Sequence, residues 1–409
     1  VINEINRKQD ETIKSYKIRL FKNKDLYDLN SQSIADLINK ETGDTFNEST
    51  YRKWYRSYSE GLEDGIKESL DSDSLIKQYD IKKQEFEKEK IKVQTEKLNL
   101  NQMLREQARM ELFEEKITHA ILHRDKNIDI PKHKINLDYN NDSEMILSIA
   151  DPHYGADFII RGMLDEIMNE YNPEIFESRM WDVLDKTISY AEKNGFKKIN
   201  VLDLDDSIEG ILHIGQLALL RYGVVDSLIG YADFMETWIN ELSKYLYVEF
   251  SRVKGNHNDL RLLTSKKGDF PHENTSRIIT HFLEKGLKDN QNVSIKGHNS
   301  VGCIYKKIAD FDVLVSHGQD EKGNLEQSFK DYILSYKVNV DYLFTGHLHS
   351  TNIKEIGINK EIIQTPSIMG INDFSMGLKK TANAGAKITV LTKGRGRTDE
   401  PKKIMIKSQ

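Results

Sequence analysis

The sequence predicts an α/β domain over residues 144–409, preceded by an all-α N-terminal domain and a long helix. Three observations lead there. From Glu144 onward, short apolar runs alternate with segments of helical period. Between Gly65 and Lys126 no Gly or Pro interrupts a stretch of alternating Lys and Glu. Nearer the start, Ile34, Ala35, Leu37 and Ile38 recur at the spacing of one helix face.

The first segment, residues 1–64, reads as two helices. One spans Ser31–Glu41 and ends in the turn Thr42-Gly43-Asp44-Thr45. A second starts near Asn47 or Ser49, both good N-caps, and carries Tyr51, Trp54, Tyr55 and Tyr58. Helix, short Gly-containing turn and helix is the layout of a helix-turn-helix DNA reader. Arg52, Lys53 and Arg56 on the second helix are then candidate contacts to phosphates or base edges. The plainer reading is a small docking or dimerisation domain whose Tyr and Trp residues are core.

Residues 65–126 follow. Ile81, Phe86, Ile91, Val93, Leu98, Leu100, Leu104 and Leu112 stand among charges, a narrow apolar seam of the coiled-coil kind. The segment is expected to make a homodimer or higher oligomer; the alternative is a solvated helix packed back on its own domain. His119 and His123 share a helix face at i and i+4 but lack a third ligand, and read as surface residues. Residues 127–143 are a polar linker containing Pro131.

Composition narrows the function. With a net charge of −6, the chain does not coat nucleic acid by bulk attraction, although local basic faces remain open. Cys303 is the sole cysteine, so no intrachain disulfide forms; it reads as a small buried strand residue in a reducing compartment. No apolar run reaches membrane-spanning length and no charged-then-apolar leader opens the sequence. A cytoplasmic protein without membrane contact is expected.

The α/β region reads as strand Glu144–Ala150, helix Glu174–Lys193, strand Lys198–Leu204, helix Asp226–Leu246 and strand Tyr247–Val253. Its strand ends carry the chemistry. The first exits in Asp151-Pro-His153, the second in Asp203-Leu-Asp205-Asp206-Ser-Ile-Glu209, and the third in Gly255-Asn256-His257. Later apolar runs exit in Ser316-His317-Gly318 and in Gly346-His347-Leu348-His349. Any one of these motifs arises by chance. Together, in this order and each behind a strand, they supply the carboxylate, amide and imidazole donors that divalent metals prefer.

These motifs, spread over about Ser143–Thr392, resemble those of the calcineurin-like metallophosphoesterase superfamily, and the layout is similar to members encoded by phages of low-GC Gram-positive bacteria. The resemblance implies a metallophosphoesterase β-sandwich flanked by helices, holding two divalent metal ions. One would take Asp151, His153, Asp206 and His349. The other would take Asn256, His317 and His347, with Asp206 bridging both. His257 would be a non-ligand imidazole facing the scissile phosphate. Two such cations acidify a bridging water and polarise a phosphoryl oxygen, and His257 stabilises or protonates the leaving oxygen. Mn²⁺ is the first expectation, with Fe and Zn as alternatives.

Departures from the family pattern matter as well. Asp205 stands where Gly usually precedes the bridging Asp, and Asp203 competes with Asp206 for the bridging role. Asn258 replaces an acid usual after Gly-Asn-His, and Glu209 stands where the exonuclease branch has His. Residues Ile211–Tyr231, including His213, form an insertion beside the site. Gln364–Ser375 is read as a strand and loop over the cleft, and Lys393, Arg395, Arg397, Lys402 and Lys403 as a basic tail.

The function expected is metal-dependent hydrolysis of phosphodiesters, with DNA as substrate and partner. The alternatives are a phosphatase, a small-molecule or cyclic-nucleotide phosphodiesterase, or a DNA-binding scaffold whose phosphoesterase domain is weak or inactive.

Overall fold

The structure is a computed structural model that describes residues 5–69, 73–122, 128–137, 141–210, 216, 219–260, 273–319, 324–377, 382–398 and 402–406. His123 and His213 lie outside the described residues, as does the side chain of His119. The chain divides into two compact units, Val1–Arg105 and Glu106–Gln409.

Among the described residues, the regular structure of the first unit is all helical. Helix α1 (Ile13–Lys22) was not evident from periodicity; Thr12 caps it, its hydroxyl accepting from the Ser15 amide at 3.1 Å. Helix α2 (Ser31–Thr42) starts at the N-cap Asn30 and ends at Gly43, whose φ of 75° closes the turn as only Gly does cheaply. Helix α3 (Glu48–Ser69) is capped by Asn47, whose Oδ1 accepts from the Thr50 amide at 3.1 Å. Tyr16, Leu20, Ile34, Ala35, Ile38 and Tyr51 form the core, with Phe21 stacked on Tyr55. Helix α3 runs on through Gly61 and Gly65, past the residue-64 boundary read from the sequence. An exposed helical Gly costs only about 1 kcal/mol, which neighbouring residues of good propensity absorb.

Helix α4 (Asp73–Leu122) follows. Lys83, Lys90 and Lys97, seven residues apart, pair with Glu63, Asp25 and Asp28 at 2.8, 3.6 and 2.6 Å, so within the first unit one face lies along the N-terminal helices. Ile81, Phe86, Ile91, Val93, Leu98, Leu100 and Leu104 stay exposed.

The second unit is a two-sheet sandwich. The larger, seven-stranded sheet contains β1 (Ser143–Ile149), β4 (Lys198–Asp203), β5 (Tyr247–Arg252), β6 (Val293–Lys296), β12 (Gly385–Thr392), β13 (Gly396–Arg397) and β14 (Lys402–Met405). Strands β1, β4, β5 and β6 are parallel, and β12 lies antiparallel beside β1. The five-stranded sheet runs β10 (Asn352–Gly357), β11 (Lys360–Gln364), β9 (Tyr342–Thr345), β8 (Phe311–Val315) and β7 (Ile304–Ile308). A hairpin, β2 (Phe158–Arg161) with β3 (Ile167–Tyr171), stands apart.

Strand alternation builds the layers. Ile146, Leu202, Val313, Val315, Tyr342 and Phe344 meet between the sheets. Their neighbours Leu147 and Val201 face the other way, onto α5 (Pro173–Asn194), α6 (Val224–Leu242) and α7 (Thr275–Gly286). On the opposite outer face, Leu314, Leu343 and buried Cys303 pack with Phe329 of α8 (Leu325–Tyr336). Cys303 sits one residue before β7. The result is helices, sheet, sheet, helix. Among the described residues, no helix is long and apolar enough to cross a membrane.

Candidate metal centre

Every candidate ligand leaves a strand of this sandwich at its C-terminal end, where parallel sheets gather ligands. Beyond β1 and β4 the chains stay paired by backbone: the amides of Asp151 and His153 donate to the carbonyls of Asp205 and Asp206 at 3.0 and 2.8 Å. Asp151, His153, Asp206, His347 and His349 all adopt φ between 46° and 63°. Left-handed backbone is costly for such residues, and its concentration at one rim marks a built site.

Two donor groups converge there, each with atoms within 4.8 Å of one another: Asp151, His153 and His349, and Asp206, His317 and His347. A third grouping, His153, Asp206 and His257, joins them. Asp206 sits centrally. Its Oδ1 accepts from the His257 amide at 2.8 Å and its Oδ2 lies 2.8 Å from His317 Nε2. His317 Nδ1 is 2.6 Å from the Leu204 carbonyl, which orients the ring with Nε2 inward. Asp151 Oδ1 accepts from the His347 amide at 3.1 Å.

Buried polar atoms here lack protein partners: Asp151 Oδ2, His153 Nε2, Asn256 Oδ1 and His349 Nδ1. Unpaired buried donors and acceptors are costly, and their convergence with two Asp/His groups fits divalent cations. Burial opposes charge on His317, but the Asp206 carboxylate outweighs it and pushes this imidazole up to about 10. Burial raises Asp151, with the Asp206 charge adding to it. Burial lowers His347 to about 4, helped by the charge on His317.

Asp205 and Asp203 turn away from this cluster. Asp205, fully buried, accepts from the Gly255 amide at 2.6 Å and from the hydroxyls of Ser207 and Ser276, and pairs with Arg252. Asp203 also pairs with Arg252 and accepts from Tyr231 Oη at 3.2 Å. Of the competing carboxylates, Asp206 alone joins the histidines. Asn258 is structural, its Oδ1 accepting from the Ser207 amide at 3.0 Å while its Nδ2 donates to Thr275 at 2.9 Å.

His257 Nδ1 lies 2.6 Å from the Glu209 carbonyl, which leaves Nε2 for the cleft; burial holds this imidazole below its usual value. The Glu209 carboxylate contacts His153 Nδ1 at 2.8 Å and accepts from Gln216 Nε2 at 2.8 Å. The cleft has a volume of about 390 Å³, and Phe158, Leu219 and Met369 give it an apolar side. The loop after β11 is tied to it, Ser367 Oγ donating to the Asp151 carbonyl at 2.9 Å.

Sequence reading missed Arg252, Tyr231 and Ser276. An Arg closing a strand three residues before Gly255-Asn256-His257 was the available signal. In the first unit, Arg52, Lys53 and Arg56 are exposed on α3, with Arg52 and Arg56 facing Glu48 and Glu60 at 3.7 and 2.9 Å. Arg397 of the expected basic tail instead pairs with Glu361 at 2.6 Å.

The second unit is thus a two-sheet α/β sandwich with an Asp/His cluster at its strand ends. The chain belongs to the YonJ family: it is 32% identical over 402 residues to the SPbeta prophage-derived uncharacterized protein YonJ of Bacillus subtilis (strain 168), covering 96% of each. Residues 2–70 match the YonJ N-terminal domain and residues 82–124 the YonJ coiled-coil domain. Among solved structures, an archaeal phosphodiesterase is similar at 12% identity and a TM-score of 0.32, over 64% of this chain and 99% of that one. Zn-complexed Vps29 from Entamoeba histolytica is similar at 14% identity and a TM-score of 0.30, over 64% and 98%.

Proposed function

We propose that the protein is a two-metal-dependent phosphoesterase that hydrolyses phosphodiester bonds, with DNA as its substrate. The observation that carries the reading is the central place of Asp206 between two converging donor groups, ringed by buried atoms without partners. Asp151, His153, Asp206 and His349 would hold one cation, and Asn256, His317 and His347 the other, with Asp206 shared. Divalent cations there, Mn²⁺ first by donor set, supply charge for a phosphoryl oxygen and acidify water at neutral pH.

The protein's own groups do the rest. The His257 amide and His317 fix the Asp206 carboxylate. The Glu209 carbonyl directs His257 Nε2 into the cleft, where a phosphate's negative charge favours the protonated ring and lets it stabilise or protonate the leaving oxygen. Exposed Arg52, Lys53 and Arg56 supply backbone-phosphate contacts. The exposed apolar residues of α4 would pair with a second copy of the same helix.

The cleft volume of about 390 Å³ also suits a small phosphodiester, the competing reading. The test compares wild type and His257→Ala, with Mn²⁺ and with EDTA, on labelled single-stranded DNA, double-stranded DNA and a bis-aryl phosphodiester. Expected is metal-dependent DNA cleavage that falls about 10²- to 10⁴-fold in the variant. Cleavage of the aryl ester alone would favour a small-molecule phosphodiesterase. Stoichiometric metal without any cleavage would favour a binding scaffold.

A further inference from the structure

Arg252 closes β5 with no solvent exposure and sits between two buried carboxylates. Its Nη1 pairs with Asp203, its Nη2 with Asp205 and Ser207 Oγ, and the Tyr231 ring packs 5.4 Å from the guanidinium carbon. Asp205 in turn accepts from the Gly255 amide at 2.6 Å and from the Ser276 hydroxyl. Asp205 therefore ties the loop after β4, which bears Asp206, to the loop after β5, which bears Asn256 and His257, and to the first turn of α7. The Asp205 amide donates to Asp203 Oδ1 at 3.0 Å, so the guanidinium fixes both ends of this turn. Asp205 and Asp206 both hold left-handed backbone, at φ 65° and 52°, a conformation that needs outside support.

We infer that Arg252 is a positioning residue for the metal centre, acting through Asp205 to hold Asp206 and Asn256 at the spacing that two cations require. The inference rests on the proposed two-metal reading. It also explains why a buried acid can occupy the position before Asp206. Asp205 does not crowd the site, because Arg252 and the donors of Gly255, Ser207 and Ser276 take up its oxygens on the far side. The two residues work as a pair. A buried acid without the guanidinium is an uncompensated charge beside the site, and a guanidinium without the acid no longer reaches the second loop.

The test is calorimetric Mn²⁺ titration of the full-length chain, metal-free at the start, for wild type, Arg252→Lys, Arg252→Met, Asp205→Asn and the double variant Arg252→Met/Asp205→Asn. Melting temperature without metal is measured in parallel, and titrations are run where each chain is folded. Expected is a loss of Mn²⁺ affinity of about 10- to 100-fold in Arg252→Met, with a smaller loss in Arg252→Lys, which keeps charge but not the planar fork. The double variant should recover part of the loss by removing one of the two stranded carboxylates, Asp205, while Asp203 remains. Should Arg252→Met fail to fold, Arg252→Lys and Asp205→Asn decide the matter. Wild-type Mn²⁺ affinity in both, whatever their melting temperatures, would reduce Arg252 to a fold-stabilising residue and overturn the inference. A wild type that binds no Mn²⁺ would overturn the metal reading itself, and this inference with it.

Discussion

A Cβ built on Gly255 would lie 2.4 Å from Asp206 Oδ1 and 2.5 Å from the Asp206 amide nitrogen. The amide belongs to the backbone and cannot swing aside, so this Gly is required by the approach of two loops. Gly255→Ala should displace the Asp206 turn and lower Mn²⁺ affinity about 10- to 100-fold. It should also destabilise the chain by about 1–3 kcal/mol, the usual cost of overpacking. Metal titration and urea unfolding of the variant check both, and wild-type affinity for Mn²⁺ would refute the close-approach argument.

Glu209 serves two histidines by different atoms. Its carboxylate lies 2.8 Å from His153 Nδ1 and 4.0 Å from His257 Nδ1, whereas its backbone carbonyl lies 2.6 Å from His257 Nδ1. Glu209→Gln keeps the carbonyl and removes the charge. It should weaken Mn²⁺ binding about tenfold through His153 while leaving the carbonyl's hold on His257 Nδ1 in place. In a double-mutant cycle, the rate ratio between chains with and without His257 should differ by less than about tenfold between the wild-type and Glu209→Gln backgrounds, since the carbonyl contact is kept. A collapsed ratio would mean that the side chain, not the carbonyl, sets His257.

The two-sheet sandwich was legible because its strands are apolar, short and end in ligand-type residues. The strand read as Lys198–Leu204 forms as Lys198–Asp203, and the helix read as Glu174–Lys193 as Pro173–Asn194. What stayed hidden has a physical reason. Helix α1 spreads its core contacts thinly, with only Tyr16 and Leu20 fully buried, so its periodicity is weak. The hairpin β2–β3 exposes Ile159, Met163, Leu164 and Ile167, and gives no clean alternation. Asp205 could not be assigned from sequence because its partner Arg252 is distant along the chain and only the parallel pairing of β4 with β5 brings them together.

Phe86 and Leu98 of α4 are 71% and 69% exposed, an arrangement that water disfavours on a long helix. If α4 pairs with a second copy, Phe86→Glu/Leu98→Glu should shift the chain from dimer to monomer in analytical ultracentrifugation. Hydrolysis of a bis-aryl phosphodiester should be unaffected, since both residues belong to the first compact unit and the metal centre to the second. A wild type that stays monomeric at tens of micromolar would refute the pairing.

In the first unit, Arg19 grips Glu11 with both ends of its fork, at 2.7 Å for each oxygen. The Arg19 hydrogen bonds hold the Glu11 carboxyl below its ordinary value, against the opposing effect of burial. A depressed carboxyl stabilises the folded state fully above its unfolded value, about 4.3, and loses that contribution as pH falls through the folded value. Glu11→Gln should therefore cost about 1–2 kcal/mol at neutral pH, the scale of a hydrogen bond to a charged group. The gap from wild type should then shrink as pH falls below about 4.3, where the unfolded chain's carboxyl takes up its proton first, until the folded value is passed. Hydrogen exchange of the α1 amides in both chains, from pH 7 down to pH 3, reads this locally once corrected for the intrinsic rate. A gap that stays constant across that range would place the stabilisation in packing and not in the charge of Glu11.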